Sequence, residues 1–223
     1  KQHLDGDGVT ARRYPRSVSV VIPAYNEREN IASVLEEILS RLRLIEEVEW
    51  EVIVIDDGSQ DGMAEVIAEF EEVKLLRHPY NCGYGASLKS GILAAKGEVV
   101  VAMDADGQHN PDDLTRLLDN MGEYAMSCGS RVASSGVPRL RRPGKWILSR
   151  MMNYLARRRI PDINCGYRAL RRDIISRYLH LCSDRYSFSM SSTLALLSEG
   201  HFIRFIDIKC RSRQGAESQV KFS

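Results

Sequence analysis

Two aspartates separated by a single residue directly follow a short apolar run in this chain. The run, residues 99–103, is rich in valine and bounded by polar residues, which predicts a buried strand. Asp104 and Asp106 come next, and alternate residues of an extended segment share a face, so both carboxylates can point to one place. Carboxylates at the carboxyl end of a core strand suit a hard divalent cation that also holds phosphate oxygens, and Gln108 adds an uncharged oxygen. The alternative is an ordinary polar turn, because Asp and Gly are common turn residues.

Polar residues also follow two earlier predicted strands. Residues 17–23 form an apolar strand that leads into the polar stretch 23–27, and the strand 51–57 ends in Asp56 and Asp57. Helical patterns between the strands imply an α/β fold, with a mostly parallel sheet covered by helices on both faces. Ligands of such folds lie at the carboxyl ends of the strands, so the three polar strand ends together predict a nucleotide and metal site.

The rest of the chain supplies the elements that position these residues. Apolar residues at helical spacing predict helices over 29–42, 63–70, 86–95 and 190–198, and a helix that begins at Pro111. Short apolar or alternating runs predict further strands over 73–76, 124–129, 165–170 and 201–209. Residues 1–16 are polar and aperiodic, which predicts a flexible leader ahead of one domain over 17–223.

The composition is that of an ordinary globular protein. The 223 residues are 43% apolar and 27% charged, enough for a normal core. Five cysteines at irregular spacing, with no Cys-x-x-Cys pair, indicate reduced thiols in a cytosolic setting rather than a disulfide framework or a zinc site. No apolar run approaches the roughly 20 residues of a membrane-spanning helix, and no signal-peptide pattern is present.

Positive charge is concentrated in one part of the chain. The net charge is +1, yet residues 131–172 contain twelve basic residues and one acid, Asp162, whereas the remainder is acidic. This concentration favours an anionic partner such as phosphate, an anionic membrane or nucleic acid. Residues 142–159 predict either a core helix with a basic cap or an amphipathic helix on an anionic membrane surface. Nucleic acid fits less well, because the segment lacks the spaced aromatics of a base-stacking surface.

Five motifs occur in the order that is typical of a known family. They are Val-Val-Ile-Pro-Ala-Tyr-Asn-Glu at 20–27, Ile-Asp-Asp-Gly-Ser-Gln-Asp-Gly at 55–62, Asn-Cys-Gly-Tyr-Gly-Ala at 81–86, Met-Asp-Ala-Asp-Gly-Gln-His at 103–109 and Gly-Ser-Arg at 129–131. Over residues 17–221 the chain resembles family 2 glycosyltransferases, and most of all the branch of dolichyl- and polyprenyl-phosphate sugar synthases. The resemblance implies a GT-A fold and an inverting transfer of a sugar from a UDP- or GDP-sugar to a polyprenyl or dolichyl phosphate. It also implies a cytoplasmic protein that is peripheral to, or anchored at, a membrane, with 131–172 facing the acceptor or the anionic membrane surface.

The resemblance assigns roles to residues of the acidic motifs. The nucleoside pocket would be lined by Pro23, Tyr25, Glu27, Ile55 and Asp57, with Tyr25 stacked on the base. Mg²⁺ or Mn²⁺ would be held between diphosphate oxygens by Asp104, Asp106 and Gln108, and Ala105 belongs to the same motif. His109 is expected to be a structural residue or to lie behind the ligands, because a hard ion prefers oxygen.

Arginines are the expected phosphate ligands. Arg131 would contact the donor or the acceptor phosphate, since a guanidinium can bind phosphate through two hydrogen bonds. Further candidates for the acceptor phosphate are Arg139, Arg141 and Arg142, and Arg213 would close over the donor diphosphate. Catalysis would then depend on Asp104, Asp106 and Arg131.

The implied reaction is a single in-line displacement, and the acceptor decides whether it needs a base. A lipid phosphate is already anionic, whereas a hydroxyl needs a carboxylate to take its proton. Asp162 is the candidate base, and its alternative role is an ion pair with a neighbouring arginine. Two other functions stay open: a soluble family 2 enzyme that acts on a sugar or protein hydroxyl, and a non-catalytic nucleotide-sugar binding module. The module is motivated by residues 216–219, Ala-Glu-Ser-Gln, where the family often has Gly-x-Ser-Lys.

Overall fold

The computed structural model of the chain describes residues 13–46, 48–119, 121–131 and 160–211. Its strands are β1 (Ser17–Ala24), β2 (Glu49–Asp56), β3 (Val73–Arg77), β4 (Val99–Ala102), β5 (Met126–Arg131), β6 (Arg168–Arg171) and β7 (Ile203–Ile208). Its helices are α1 (Arg28–Leu42), α2 (Met63–Ile67), α3 (Tyr84–Ala94), α4 (Leu114–Leu118), α5 (Arg172–Tyr178) and α6 (Phe188–Ser198). Single 3₁₀ turns at Pro111–Asp113 and Leu179–Leu181 precede α4 and follow α5.

All seven described strands join one mixed sheet in the order β3-β2-β1-β4-β6-β5-β7. β6 runs antiparallel to its neighbours β4 and β5, and the other pairs are parallel. The predicted α/β fold with a mostly parallel sheet is therefore confirmed. The parallel register sets Ala24 beside Asp56 and Val21 beside Ala102, so β1, β2 and β4 deliver their polar carboxyl ends to the same edge.

The core explains why the central strands are almost continuously apolar. β1 and β4 are buried along nearly their whole length, as expected for parallel strands with helices on both faces. α1 covers the sheet with apolar residues at helical spacing, which are Ile31, Val34, Leu35, Ile38, Leu39 and Leu42. α3 approaches β1 so closely that a Cβ at Gly91 would lie 2.2 Å from Cγ1 of Val21.

Several element boundaries differ from the sequence-based expectation. α2 ends at Ile67 rather than at residue 70, and α3 begins at Tyr84, two residues early. α5 was not predicted, because its arginines and two adjacent isoleucines give no clear helical stripe. At the end of the predicted leader, Arg13 is paired with Asp119 at 2.9 Å.

Arg168 corrects the expectation that residues 131–172 turn their positive charges outward. It is fully buried, because its position on β6 faces the interior beneath α6. Its guanidinium donates to the carbonyl oxygen of Ser189 at 2.8 Å and to Oγ of Ser192 at 3.0 Å. Nε also donates to the carbonyl oxygen of Cys165 at 3.2 Å. This arginine therefore ties β6 to α6 and is not available to an anionic surface.

The helix predicted over 142–159 lies outside the described residues. None of the helices in the described ranges is long and apolar enough to cross a membrane.

The contact between α3 and β1 gives a stability prediction. Gly91→Ala should lower the free energy of unfolding by about 1–3 kcal/mol, because the added methyl group meets a β-branched side chain in a central strand. This loss should outweigh the gain of about 1 kcal/mol that alanine brings to a helix. Gly122→Ala is the matched control, since a Cβ there meets nothing within 4 Å, and it should change stability by less than about 0.5 kcal/mol. Urea denaturation measures both, and equal midpoints would contradict the close packing.

Candidate active site

A cavity of about 470 Å³ lies at the edge of the sheet where β1, β2 and β4 end. The predicted site residues that line it are Pro23, Tyr25, Glu27, Asp57, Asp104, Ala105, Asp106 and Gln108. The structure thus brings together residues from three separate motifs. Among the predicted nucleoside contacts, Ile55 differs: its side chain is fully buried in β2 and packs in the core instead of lining the cavity.

Asp104 is held by two neighbours while its carboxylate stays partly exposed. The Tyr84 hydroxyl donates to Oδ1 of Asp104 at 2.8 Å, and Nε2 of His109 lies 3.6 Å from Oδ2. The backbone N–H of Asp104 donates to Nδ1 of His109 at 3.2 Å, so the imidazole proton belongs on Nε2, facing the carboxylate. The rings of His109 and Tyr167 are stacked, with centroids 4.9 Å apart. His109 thus lies behind residues 104–108, the acidic loop, as expected from the sequence.

Charge and burial shift the pKa values of Tyr84 and His109, the two groups that contact Asp104. Burial, and then the Asp104 carboxylate, raise the pKa of Tyr84 well above its usual value, so the phenol stays protonated and continues to donate. Burial opposes protonation of His109, but the Asp104 carboxylate outweighs it together with weaker contributions, and the pKa of His109 is raised. The tyrosine hydroxyl and the imidazole therefore both lie against the Asp104 carboxylate as polar partners.

The rest of the acidic loop is fixed by backbone contacts. Oδ1 of Asp106 accepts from the backbone N–H of Gln108 at 3.1 Å, which folds the loop back on itself. The carbonyl oxygen of Gln108 accepts from the backbone N–H of Arg211 at 2.9 Å. The Arg211 guanidinium in turn binds both carboxylate oxygens of Glu37, at 2.7 and 2.9 Å. The loop is thereby tied to α1 and to the segment that follows β7.

Asp57 organises the opposite end of the cavity. Oδ1 accepts from Nδ1–H of His78 at 2.7 Å and from the backbone N–H of Cys82 at 2.9 Å. Oδ2 accepts from the backbone N–H of Gly83 at 2.8 Å. In a neutral imidazole, Nε2 of His78 then accepts from the Ser90 hydroxyl, 2.9 Å away. A single carboxylate therefore fixes the loop that leads from β3 to α3.

Two groups of side chains could hold a cation. Asp57, His78 and Cys82 place one ligand atom each within 4.8 Å of one another. In that group the carboxylate and the imidazole already bind each other, and a sulfur ligand does not suit a hard ion. The residues Asp104, Asp106 and Gln108 of the acidic loop line the cavity, and their side chains offer carboxylate and amide oxygens as ligands. The chemistry of this second group fits Mg²⁺ or Mn²⁺.

Arg131 does not line the cavity and is already paired. Its Nε donates to Oδ2 of Asp162 at 2.7 Å, and a terminal nitrogen donates to Oδ1 at 3.1 Å. The ion-pair interpretation of Asp162 is confirmed. Burial opposes ionisation of Asp162, but the Arg131 guanidinium outweighs it and lowers the pKa of the carboxyl group. The hydrogen bonds to Asp162 likewise raise the pKa of Arg131. The remaining predicted phosphate ligands, Arg139, Arg141, Arg142 and Arg213, lie outside the described residues.

The cavity also contains residues that the sequence did not single out. They are Ala24, Asn81, Gly83, Tyr84, Ser87, Asn164, Gly166, Arg185, Tyr186 and Ser189. Asn81 to Ser87 lie in or beside the third motif, so their place in the chain already carried a signal. Arg185 and Tyr186 had none, because only packing brings their segment to α3. There the Tyr186 ring lies nearly parallel to that of Tyr84, with centroids 6.3 Å apart.

The comparisons with known proteins agree with one another. Residues 19–179 match the family described as Glycosyl transferase family 2. The chain is 35% identical over 182 residues to an undecaprenyl-phosphate 4-deoxy-4-formamido-L-arabinose transferase of Pectobacterium carotovorum, which covers 78% of this chain and 54% of that protein. It is 30% identical over 238 residues to a polyprenol monophosphomannose synthase of Mycolicibacterium smegmatis, which covers 100% of this chain and 88% of that protein. The chain thus spans about half the length of several curated relatives that it matches.

A solved structure shares the fold. It is a glucosyl-3-phosphoglycerate synthase from Mycobacterium tuberculosis in complex with Mn²⁺, UDP and glucosyl-3-phosphoglycerate. The TM-score is 0.71 at 20% identity, and the match covers 91% of this chain and 73% of the other. The neighbouring structures have the GT-A fold, and the expected fold is therefore confirmed.

The contacts of Asp57 predict a local effect of its substitution. Asp57→Asn replaces one of the two accepting oxygens by an NH₂ group and removes the negative charge, so the backbone amide that faces the NH₂ group, of Cys82 or of Gly83, loses its acceptor. Hydrogen exchange of at least one of these two amides should accelerate by on the order of tenfold, because hydrogen bonds to a charged group contribute about 1.5–3 kcal/mol.

Exchange at the amides of β1 serves as the internal reference in this experiment. Asp173→Asn is the matched control, since Asp173 pairs with Arg171 and does not line the cavity. Unchanged exchange at Cys82 and Gly83 in the Asp57 variant would show that the carboxylate does not hold the loop.

Proposed function

Because the chain belongs to glycosyl transferase family 2, we propose that it transfers a sugar from a nucleotide-sugar to a polyprenyl or dolichyl phosphate. The observation that carries this proposal is the meeting of three strand ends in one cavity, with Tyr25 and Glu27 from the first and an all-oxygen acidic loop from the third. A donor made of a nucleoside and a diphosphate needs both kinds of surface. The two curated relatives above, named for undecaprenyl phosphate and polyprenol monophosphomannose, support the lipid phosphate as acceptor.

We assign the divalent cation to the acidic loop. Asp104, Asp106 and Gln108 would hold Mg²⁺ or Mn²⁺, because each lines the cavity and carries a side-chain oxygen. A cation bound there supplies positive charge that stabilises the departing nucleoside diphosphate. The Tyr84 hydroxyl and His109 keep the Asp104 carboxylate oriented for this role.

The remaining residues bind and orient the two substrates. Tyr25 would stack on the base, and Glu27 and Asp57 would accept hydrogen bonds from the base or the ribose. The acceptor oxygen would attack the anomeric carbon from the side opposite the departing diphosphate, so that the configuration at this carbon inverts. An anionic phosphate needs no base for this attack. The ion pair of Asp162 with Arg131 supports such an acceptor, because it occupies the carboxylate that a hydroxyl acceptor would need.

We further propose that the reaction takes place at the cytoplasmic face of a membrane, with no nucleic acid as partner. The support is the concentration of arginine and lysine in residues 131–172, which suits anionic headgroups. Arg168 contributes nothing to this charge, since it is buried. Arg131 and Arg171 are paired with aspartates, and Arg172 donates to the carbonyl oxygen of Gly97. The basic residues of 139–159 are therefore the membrane-facing candidates.

Transfer from radiolabelled UDP- and GDP-sugars to a short polyprenyl phosphate tests the function. With Mn²⁺ present, the wild type should form a lipid-linked product from one donor, and chelation should abolish it. Asp106→Ala should lower the rate at least about 100-fold, because it removes a ligand of the divalent cation whose charge stabilises the transition state. Asp112→Ala is the matched control: Asp112 lies six residues further on, is 70% exposed and does not line the cavity.

Two results would contradict the proposal in different ways. Transfer to the corresponding polyprenol or to a sugar, but not to the phosphate, would indicate a hydroxyl acceptor. Metal-dependent donor binding without transfer or hydrolysis would indicate a nucleotide-sugar binding module.

A further inference from the structure

The described wall of the cavity contains one cation that the reaction above does not use. Glu27, Asp57, Asp104 and Asp106 contribute four carboxylates, and Arg185 is the single lysine or arginine among the described residues that line the cavity. Substrates of a sugar transfer to a lipid phosphate carry at least two phosphate groups. Such ligands require positive charge at the wall, and Arg185 is the residue placed to supply it.

The backbone around Arg185 is fixed by specific hydrogen bonds. The backbone N–H of Arg185 donates to Oγ of Ser183 at 3.1 Å. The carbonyl oxygen of Asp184 accepts from the backbone N–H of Ala86 at 2.9 Å, and the Asp184 carboxylate binds Nζ of Lys89 at 2.6 Å. Both contacts join the segment to α3, so Arg185 starts from an anchored position.

Two glycines allow this segment to lie directly on the amino end of α3. A Cβ at Gly85 would lie 2.0 Å from the carbonyl oxygen of Ser183, and one at Gly83 would lie 2.6 Å from that of Asp184. A Cβ at Gly83 would also lie 3.3 Å from Cδ of Arg185. The Arg185 side chain therefore leaves its backbone beside the loop that Asp57 holds.

The guanidinium of Arg185 is available to a ligand. The residue is exposed, and within residues 13–46, 48–119, 121–131 and 160–211 its guanidinium makes no hydrogen bond or ion pair. Arg131 and Arg168 differ in this respect, because the guanidinium groups of both donate hydrogen bonds to protein oxygens. An unpaired guanidinium on the wall of a ligand cavity presents a planar set of donors that matches phosphate oxygens.

We propose that Arg185 is a phosphate-binding residue of this cavity. The identity of the ligands rests on the proposed function, whereas the phosphate contact itself does not. Two phosphates could make the contact: the diphosphate of the nucleotide donor and the monophosphate of the lipid acceptor. The shared chemistry is an anionic phosphate oxygen that accepts two hydrogen bonds from one guanidinium.

Equilibrium binding to the full chain, with Mn²⁺ present, tests the assignment without depending on turnover. Calorimetry compares UDP with uridine, GDP with guanosine, and a short prenyl phosphate with its prenol, in the wild type and in Arg185→Ala. The variant should bind one of the phosphorylated ligands at least about tenfold more weakly and the unphosphorylated partner equally well. Weaker UDP or GDP binding assigns the contact to the donor, and weaker prenyl phosphate binding assigns it to the acceptor.

Two further variants separate a specific contact from a general effect of charge. Arg185→Lys should recover only part of the affinity, because an ammonium keeps the charge but loses the paired hydrogen bonds. Arg177→Ala removes another exposed arginine, on α5, that does not line the cavity, and it should bind all ligands like the wild type. A thermal unfolding curve for each variant confirms that the fold is kept.

The outcomes for Arg185 and for the overall function can be told apart. If Arg185→Ala binds every phosphorylated ligand as the wild type does, or if Arg177→Ala loses the same affinity, Arg185 is not the contact. The same conclusion holds if the wild type does not prefer the phosphorylated ligands. If the binding preference depends on Arg185 but no sugar is transferred, the contact stands and the proposed reaction is wrong.

Discussion

The parallel register of β1 with β2 and β4 is the constraint on which the site depends. It sets the ends of the three strands at one level, and each end is followed by polar residues that line the same cavity. The register is fixed from both sides of β4, whose four buried residues lie between Glu98 and Asp104. A shift by one residue would draw a carboxylate into the apolar interior, which costs several kcal/mol, so the strand has one acceptable position.

Two aspartates at this edge of the sheet, Asp57 and Asp104, have different roles. The number of protein donors that face each carboxylate determines its role. Asp57 receives three hydrogen bonds from the loop between β3 and α3 and is almost fully buried, which makes it a support for the backbone of Cys82 and Gly83. Asp104 receives one hydrogen bond from Tyr84, and its side chain keeps 31% of its surface exposed. Its second oxygen faces His109 at a longer distance. Asp104 therefore retains more accepting capacity for a ligand than Asp57, which has three of its roughly four acceptor positions filled by protein donors.

Local sequence was enough for the fold and for the acidic side of the site, because both depend on short-range patterns. Asp104, Asp106 and Gln108 were found from their spacing after an apolar strand, and the α/β class from alternating periods. Local patterns do not show whether an arginine is free, paired or buried. The sequence predicted Arg131 to be a phosphate ligand and counted Arg168 only as part of the basic segment. Arg131 is paired with Asp162, and Arg168 is buried beneath α6. Arg185 was missed for the converse reason, since its place depends on packing against glycines about 100 residues away in the chain.

The charge balance of the cavity explains why the binding of phosphate ligands requires positive charge beyond that of the described wall. Four carboxylates and one arginine give that wall a net negative charge, which would repel a diphosphate. Positive charge must therefore be added from beyond these side chains, by a divalent cation on the acidic loop or by arginines outside the described residues. The carboxylates thus make affinity for an anionic donor conditional on a second component, whereas Arg185 contributes a fixed charge that is present before any ligand arrives.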